Sequence, residues 1–151
     1  MDFMQQRTTH SLKETQEAAQ EFLHTLESES VGNGALVVGL YGDLGSGKTS
    51  FTQGLAKALG IEMPVLSPTF VIEKRYDTLH SRFKKLVHID AYRFESPDEL
   101  LKLRWGETLG ALENLVLIEW PERVASVLPD TMKKIKFTFI DEHTRTIEFN
   151  A

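Results

Sequence analysis

The sequence predicts an α/β fold in which a mostly parallel central sheet is flanked by helices and closed by a C-terminal antiparallel hairpin. Three observations carry that expectation. The run Ala35-Leu36-Val37-Val38-Gly39-Leu40-Tyr41 is continuously apolar and of strand length, as suits a strand covered on both faces. A glycine-rich loop follows it directly and opens into a stretch with helical apolar spacing, Phe51, Leu55, Ala58 and Leu59. Finally, Ile135 to Ile140 and Thr144 to Phe149 read as two strands joined by a short polar turn.

At 151 residues, the chain is expected to form one domain over residues 1–151 with a core of its own. Its 41% hydrophobic and 26% charged residues are ordinary for a soluble globular protein. It contains no cysteine, which excludes disulfides and thiolate metal sites and fits a reducing compartment. The first ten residues lack the apolar core of a signal peptide, and no apolar run is long enough to span a bilayer. A cytoplasmic protein with no membrane partner is expected. The net charge of −5 argues against general nucleic-acid affinity. Lys74, Arg75, Arg82, Lys84 and Lys85 do cluster, with only Asp77 opposing them. Such runs are usually solvated surface, the alternative being a dock for an acidic partner or RNA.

Taken in order, Ser11-Leu12-Lys13-Glu14 has the capping-box pattern, and a helix is expected from there to about Glu27. Ala18, Ala19, Phe22, Leu23 and Leu26 form its apolar stripe. Gly32-Asn33-Gly34 breaks the chain before the first buried strand. The next helix should run from about Gly47 to Leu59 and stop at Gly60. Pro64 and Pro68 bracket an irregular stretch, after which Phe70 to Tyr76 and Lys85 to Ile89 read as strands. Ser96-Pro97-Asp98-Glu99 is a helix start with proline at the first helical position. A further strand, Leu115 to Ile118, ends at Glu119-Trp120-Pro121.

The loop Gly42-Asp43-Leu44-Gly45-Ser46-Gly47-Lys48-Thr49 matches G-x-x-x-x-G-K-[ST] in full. Average residue usage would produce that pattern by accident in only about one chain in 200 of this length. Its position between a buried strand and a helix makes the fold P-loop NTPase-like. Gly42, Gly45, Ser46 and Gly47 let successive N–H groups converge on phosphate oxygens, and the helix adds its N-terminal partial charge. Lys48 should reach the β- and γ-phosphates of ATP, and the Thr49 hydroxyl should ligate Mg²⁺, with Ser50 alongside.

Hydrolysis needs a second metal anchor and a group that orients water. The runs ending in Asp90 and Glu119 place carboxylates where an open α/β sheet holds its ligands. Either could be the Walker-B carboxylate, and either could instead cap a helix or pair with Arg93 or Arg123. Thr69, in Ser67-Pro68-Thr69-Phe70, sits where a switch threonine would sense the γ-phosphate, unless the segment is a simple proline turn. His88 reads as structural, and Trp120 as core or as a flat surface beside the nucleotide.

Together with the loop, Ser-Pro-Thr-Phe at 67–70, His-Ile-Asp-Ala-Tyr-Arg at 88–93 and Ile-Glu-Trp-Pro-Glu at 118–122 resemble the TsaE (YjeE) family over essentially the whole chain. The resemblance implies a bacterial ATPase needed for threonylcarbamoyladenosine, the modified adenosine beside the tRNA anticodon. Such a protein does not transfer the threonylcarbamoyl group. It docks on the TsaD and TsaB proteins, meets tRNA only through that complex, and resets it by binding and hydrolysing ATP. By the same resemblance Lys48 and Thr49 belong to the phosphate and Mg²⁺ site, and Glu119 is a metal-side carboxylate. Asp90 acts at the γ-phosphate or its water, Thr69 lies in a switch-like segment, and Trp120 completes a Glu-Trp pair. The adenine falls near His10, Leu12 and His143. The stretch Leu103-Arg104-Trp105-Gly106-Glu107 departs from the Gly-Leu-Asp-Glu-Tyr-like stretch frequent in the family.

Two other functions fit a P-loop. A small kinase of a nucleoside or metabolite needs an acceptor pocket and usually lid arginines, and only Arg123 and Arg145 follow Glu119. A non-catalytic module would bind ATP without hydrolysing it.

Overall fold

The computed structural model describes residues 5–29, 32–62 and 72–150. A seven-stranded sheet in the order β1-β7-β6-β2-β5-β4-β3 organises them. Its strands are β1 (Gln5–Thr9), β2 (Leu36–Tyr41), β3 (Glu73–Asp77), β4 (Lys85–Asp90), β5 (Asn114–Glu119), β6 (Lys133–Phe139) and β7 (Arg145–Asn150). The centre, β6-β2-β5-β4, is parallel. Both edges are antiparallel, with β3 on β4 at one side and the β6–β7 hairpin plus β1 at the other.

Alternation along the central strands divides the core in two. Val38, Leu40, Leu86, Leu115 and Leu117 face the long helices α1 (Leu12–Glu27) and α2 (Lys48–Ala58). Val37, Val87, Ile89, Val116 and Ile118 face the short helices α3 (Asp98–Leu101) and α4 (Trp105–Gly110). Burial on both faces explains why β2 and β5 are continuously apolar in sequence.

Ser11 caps α1, its hydroxyl accepting the Glu14 N–H at 3.1 Å. The Glu14 carboxylate takes the Ser11 hydroxyl at 3.5 Å, so the box closes through side chains. Ala18, Ala19, Leu23 and Leu26 are buried as expected, and Phe22 is half-buried against Phe51 and Phe149.

Several expectations need correction. In α2 the buried alanine is Ala56, on the side of the helix away from the Gly54 face that meets α1, and Ala58 is exposed. Strand β3 begins at Glu73, and Phe70 lies outside the described residues. Pro97 is the residue before α3, one position ahead of the expected place. The basic run is largely engaged within the protein: Arg82 donates to the Leu26 and Glu29 carbonyls at the end of α1, Arg75 to Thr108, and Lys85 to Asp77.

Candidate nucleotide site

Because the central strands are parallel, the C-terminal ends of β2, β4 and β5 share one edge of the sheet. The glycine-rich loop leaves that edge from Tyr41, while Asp90 and Glu119 end their strands in register opposite each other. Around them opens a cleft of about 350 Å³.

The loop's conformation depends on residues that lack a side chain. Gly42 has φ 146°, and a Cβ there would lie 2.7 Å from both the Phe137 carbonyl oxygen and Ser46 Oγ. Gly47, at φ 110°, caps α2 without any side-chain hydrogen bond to the helix's first N–H groups. Those donors therefore point into the cleft without a side-chain acceptor, the arrangement that favours an anion. At Gly45 an added Cβ would meet nothing within 4 Å, so the loop's rim is open. Ser46 Oγ is buried and has no partner among the described residues.

Lys48 is only 5% exposed. Its ammonium donates to the Gly42 carbonyl at 2.5 Å and sits 4.6 Å from the centre of the Trp120 ring. Burial pushes this ammonium below its ordinary value, against the pull of the Glu119 and Asp90 carboxylates. Burial likewise holds the Asp90 carboxyl above its ordinary value; the Tyr92 N–H, donating at 2.9 Å, opposes that shift, and the Glu119 charge adds to it. Thr49 is exposed to the cleft. Trp120 has φ 56°, a left-handed conformation uncommon outside glycine, immediately before Pro121. That sharp turn carries its ring back over Lys48 and against Tyr92, with ring centres 5.1 Å apart.

Of the residues singled out from sequence, Leu12, Gly45, Gly47, Lys48, Thr49, Ser50, Asp90, Glu119, Trp120 and His143 line this cleft. Gly42 and Ser46 form the loop's buried underside, out of contact with the opening. His10 does not line the cleft: it is exposed in the turn between β1 and α1, and Ser11, Leu12 and Thr15 line it instead. Thr69 lies outside the described residues. Neither carboxylate caps a helix. Asp90 accepts the Tyr92 N–H in a turn, and Glu119 pairs with His88 at 2.8 Å.

Sequence reasoning missed Tyr92, Arg93, Glu142 and Arg145 as lining residues. Arg145 donates to the Asp141 carbonyl at 2.5 Å and the Thr144 carbonyl at 3.1 Å, and its aliphatic stem lies over Gly47. The only signal for it was position in a hairpin that pairs β7 with β6, itself parallel to the strand before the loop.

A parallel β2–loop–α2 unit with a glycine cradle and an inward lysine defines a P-loop NTPase-like protein. More narrowly, the family model described as threonylcarbamoyl adenosine biosynthesis protein TsaE matches residues 9–147. The chain belongs to the TsaE family. Relatives named tRNA threonylcarbamoyladenosine biosynthesis protein TsaE include one from Nostoc, 38% identical over 83% of this chain and 76% of its own length. Another, from Rickettsia bellii, is 34% identical over 93% of this chain and 90% of its own. The crystal structure of Bacillus subtilis YdiB superposes with a TM-score of 0.72 at 29% identity, covering 100% of this chain and 87% of that one. Among the described residues, no helix is long and apolar enough to cross a membrane.

Proposed function

We propose that this chain is a cytoplasmic P-loop ATPase, a single unit over residues 1–151, whose nucleotide cycle serves threonylcarbamoyl modification of tRNA. In this reading it acts on the TsaD–TsaB pair and meets tRNA only through that complex. One observation carries the nucleotide half: Lys48, Thr49, Asp90 and Glu119 line a single cleft at the mouth of a positive-φ glycine loop. The partner half is supported by the names of the relatives.

The cradle fits a triphosphate. The loop's backbone N–H groups at Gly45 and Gly47 and the uncapped start of α2 supply convergent donors, while the Ser46 N–H is kept by the Asp43 carbonyl at 3.1 Å. Thr49, with Glu119 behind it, would hold Mg²⁺, which neutralises charge developing on the phosphates. Lys48 exchanges the Gly42 carbonyl and the Trp120 face for phosphate oxygens, a charge-assisted contact in place of a neutral one. Asp90 orients the attacking water and receives its proton. Its raised carboxyl value suits that task. The water oxygen bonds to the γ-phosphorus as the bridging P–O bond breaks, giving ADP and phosphate. Leu12 and His143 border the end of the cleft assigned to adenine, and Thr69 is retained as the γ-phosphate sensor.

The test is calorimetric ATP binding and phosphate release, with and without TsaD–TsaB. Lys48→Ala is expected to lose about 1.5–3 kcal/mol or more of ATP affinity. Glu119→Ala should remain folded and release little phosphate. Normal release by Glu119→Ala with partners present would overturn the assignment. Label appearing on a small acceptor would make the protein a kinase, and binding without release under every condition would make it a non-catalytic module.

A further inference from the structure

We infer that His88 is a positioning residue for Glu119, fixing the carboxylate at the rim of the nucleotide cleft from inside the core. The inference rests on the ATPase reading above.

His88 lies in β4 two residues before Asp90, so both side chains leave the strand on the face covered by α1 and α2. That face is otherwise aliphatic here, with Leu86 on the same strand and Leu115 and Leu117 on β5. An imidazole that is 1% exposed in such surroundings loses its hydration, and a leucine or methionine would fill the same space without that cost. What His88 gains is one bond: Nε2 lies 2.8 Å from Glu119 Oε2. Its Nδ1 has no partner among the described residues. For Glu119 Oε2 to accept this bond, Nε2 must carry the hydrogen. A ring with one nitrogen satisfied and the other idle is poorly explained as a packing element.

The consequence falls on Glu119. Three side-chain torsions separate its carboxylate from the backbone, and the side chain is itself buried apart from the edge that meets the cleft. Committing Oε2 to a nitrogen held rigidly inside the sheet fixes those torsions and leaves Oε1 for the cleft. Ligating and water-orienting carboxylates commonly depend on such a partner behind them. The pair joins neighbouring parallel strands: His88 is in register with Leu117, so the bond reaches diagonally forward to the end of β5.

The variants are His88→Leu and His88→Gln, whose amide can place a donor where Nε2 stands. His88→Met serves as a second apolar variant if the leucine form fails to fold. Steady-state phosphate release with TsaD–TsaB should show kcat falling about 10- to 100-fold in the apolar variants. KM for ATP should hold, and His88→Gln should recover most of the rate. A purely structural role would lower thermal stability in both variants without separating them in kcat. Two readouts need no turnover. In the nucleotide-free protein, imidazole ¹⁵N spectra should show the Nε2–H tautomer, lost in Glu119→Ala, and a crystal structure of His88→Leu should show Glu119 turned from its wild-type rotamer. An Nδ1–H tautomer, an unmoved Glu119, or an unchanged kcat in His88→Leu would overturn the inference. If the wild type releases no phosphate, the ATPase reading falls, and the tautomer and rotamer still decide whether His88 positions Glu119.

Discussion

Gly54, in the middle of α2, offers a test in which propensity and packing predict opposite signs. On propensity alone Gly54→Ala should stabilise the helix by about 0.8–1.0 kcal/mol. The structure says otherwise, since a Cβ at Gly54 would lie 2.6 Å from Gln16 Cα and 2.8 Å from both Gln16 Cβ and the Gln16 carbonyl oxygen. Those are mostly backbone atoms of α1, and they cannot rotate aside. Overpacking costs about 1–3 kcal/mol, and rigid neighbours put this case in the upper half. Net destabilisation of about 1–2 kcal/mol follows from setting the overpacking cost against the helix gain. At about 2–4 °C per kcal/mol for a domain of this size, the midpoint should fall by about 2–8 °C. Gly106→Ala is the control, because a Cβ there meets nothing within 4 Å and α4 should gain modestly. Calorimetry and urea unfolding of both variants measure the difference. Because α2 begins at Lys48, prising it from α1 should also weaken ATP binding. A Gly54→Ala protein as stable as wild type would show that the two helices do not approach this closely.

Two further outcomes follow from the site and its support. Asp90→Asn should stabilise the nucleotide-free protein at neutral pH while abolishing phosphate release. The folded carboxyl sits above 3.8, so both forms are alike below that pH. As pH rises from 3.8 to the folded value, the carboxyl ionises in unfolded wild type while the folded one stays protonated, so the gap in urea-unfolding stability should widen there and level above the folded value; a gap that narrows with pH would reverse the assigned sign. Trp105→Phe removes the Nε1–H that donates to the Val127 carbonyl at 2.8 Å and should cost about 1–2 kcal/mol. ATP affinity should hold in that variant, and a matching loss of affinity would tie α4 to the cleft.

The parts legible in sequence were those whose signal is local. The loop motif fixes its own backbone, and Asp90 and Glu119 could be found because each ends an apolar run that only a buried strand explains. Strand β1 was illegible: Gln-Gln-Arg-Thr-Thr carries no apolar alternation, only Thr9 is buried, and its pairing partner is the far end of the chain. Of the pair His10 and Leu12 that the family resemblance placed near adenine, Leu12 lines the cleft and His10 does not, and the cap residue Ser11 lines it as well. Ala56 is buried where Ala58 was expected because the buried surface of α2 extends past its sheet-facing stripe on the side away from Gly54 and α1, which a single stripe does not describe. The His88–Glu119 pair needed two facts at once, the strand alternation and the adjacency of β4 to β5. The first is readable two residues from Asp90; the second belongs to topology.

The places where local chemistry is left unresolved are not spread evenly. Among the described residues three buried side-chain polar atoms lack a partner: Ser46 Oγ, His88 Nδ1 and Asn114 Oδ1. The first lies in the loop and the second behind Glu119, while the third is at the opposite end of β5. Among the described residues two other than glycine have positive φ, and one of them, Trp120, stands over Lys48. Lys48 and Asp90 are both held where burial disfavours their charge. Each of these costs stability, and Ser46, His88, Lys48 and Asp90 are not members of the two apolar cores. A cleft that keeps a cation, an anion and idle donors together at such cost is one whose stabilising partner is a ligand. On this reasoning ATP with Mg²⁺ should raise the melting temperature of wild type by several degrees and that of Lys48→Ala by much less. An equal rise in the two proteins at the same ATP concentration would mean that the strain in this cleft serves something other than phosphate.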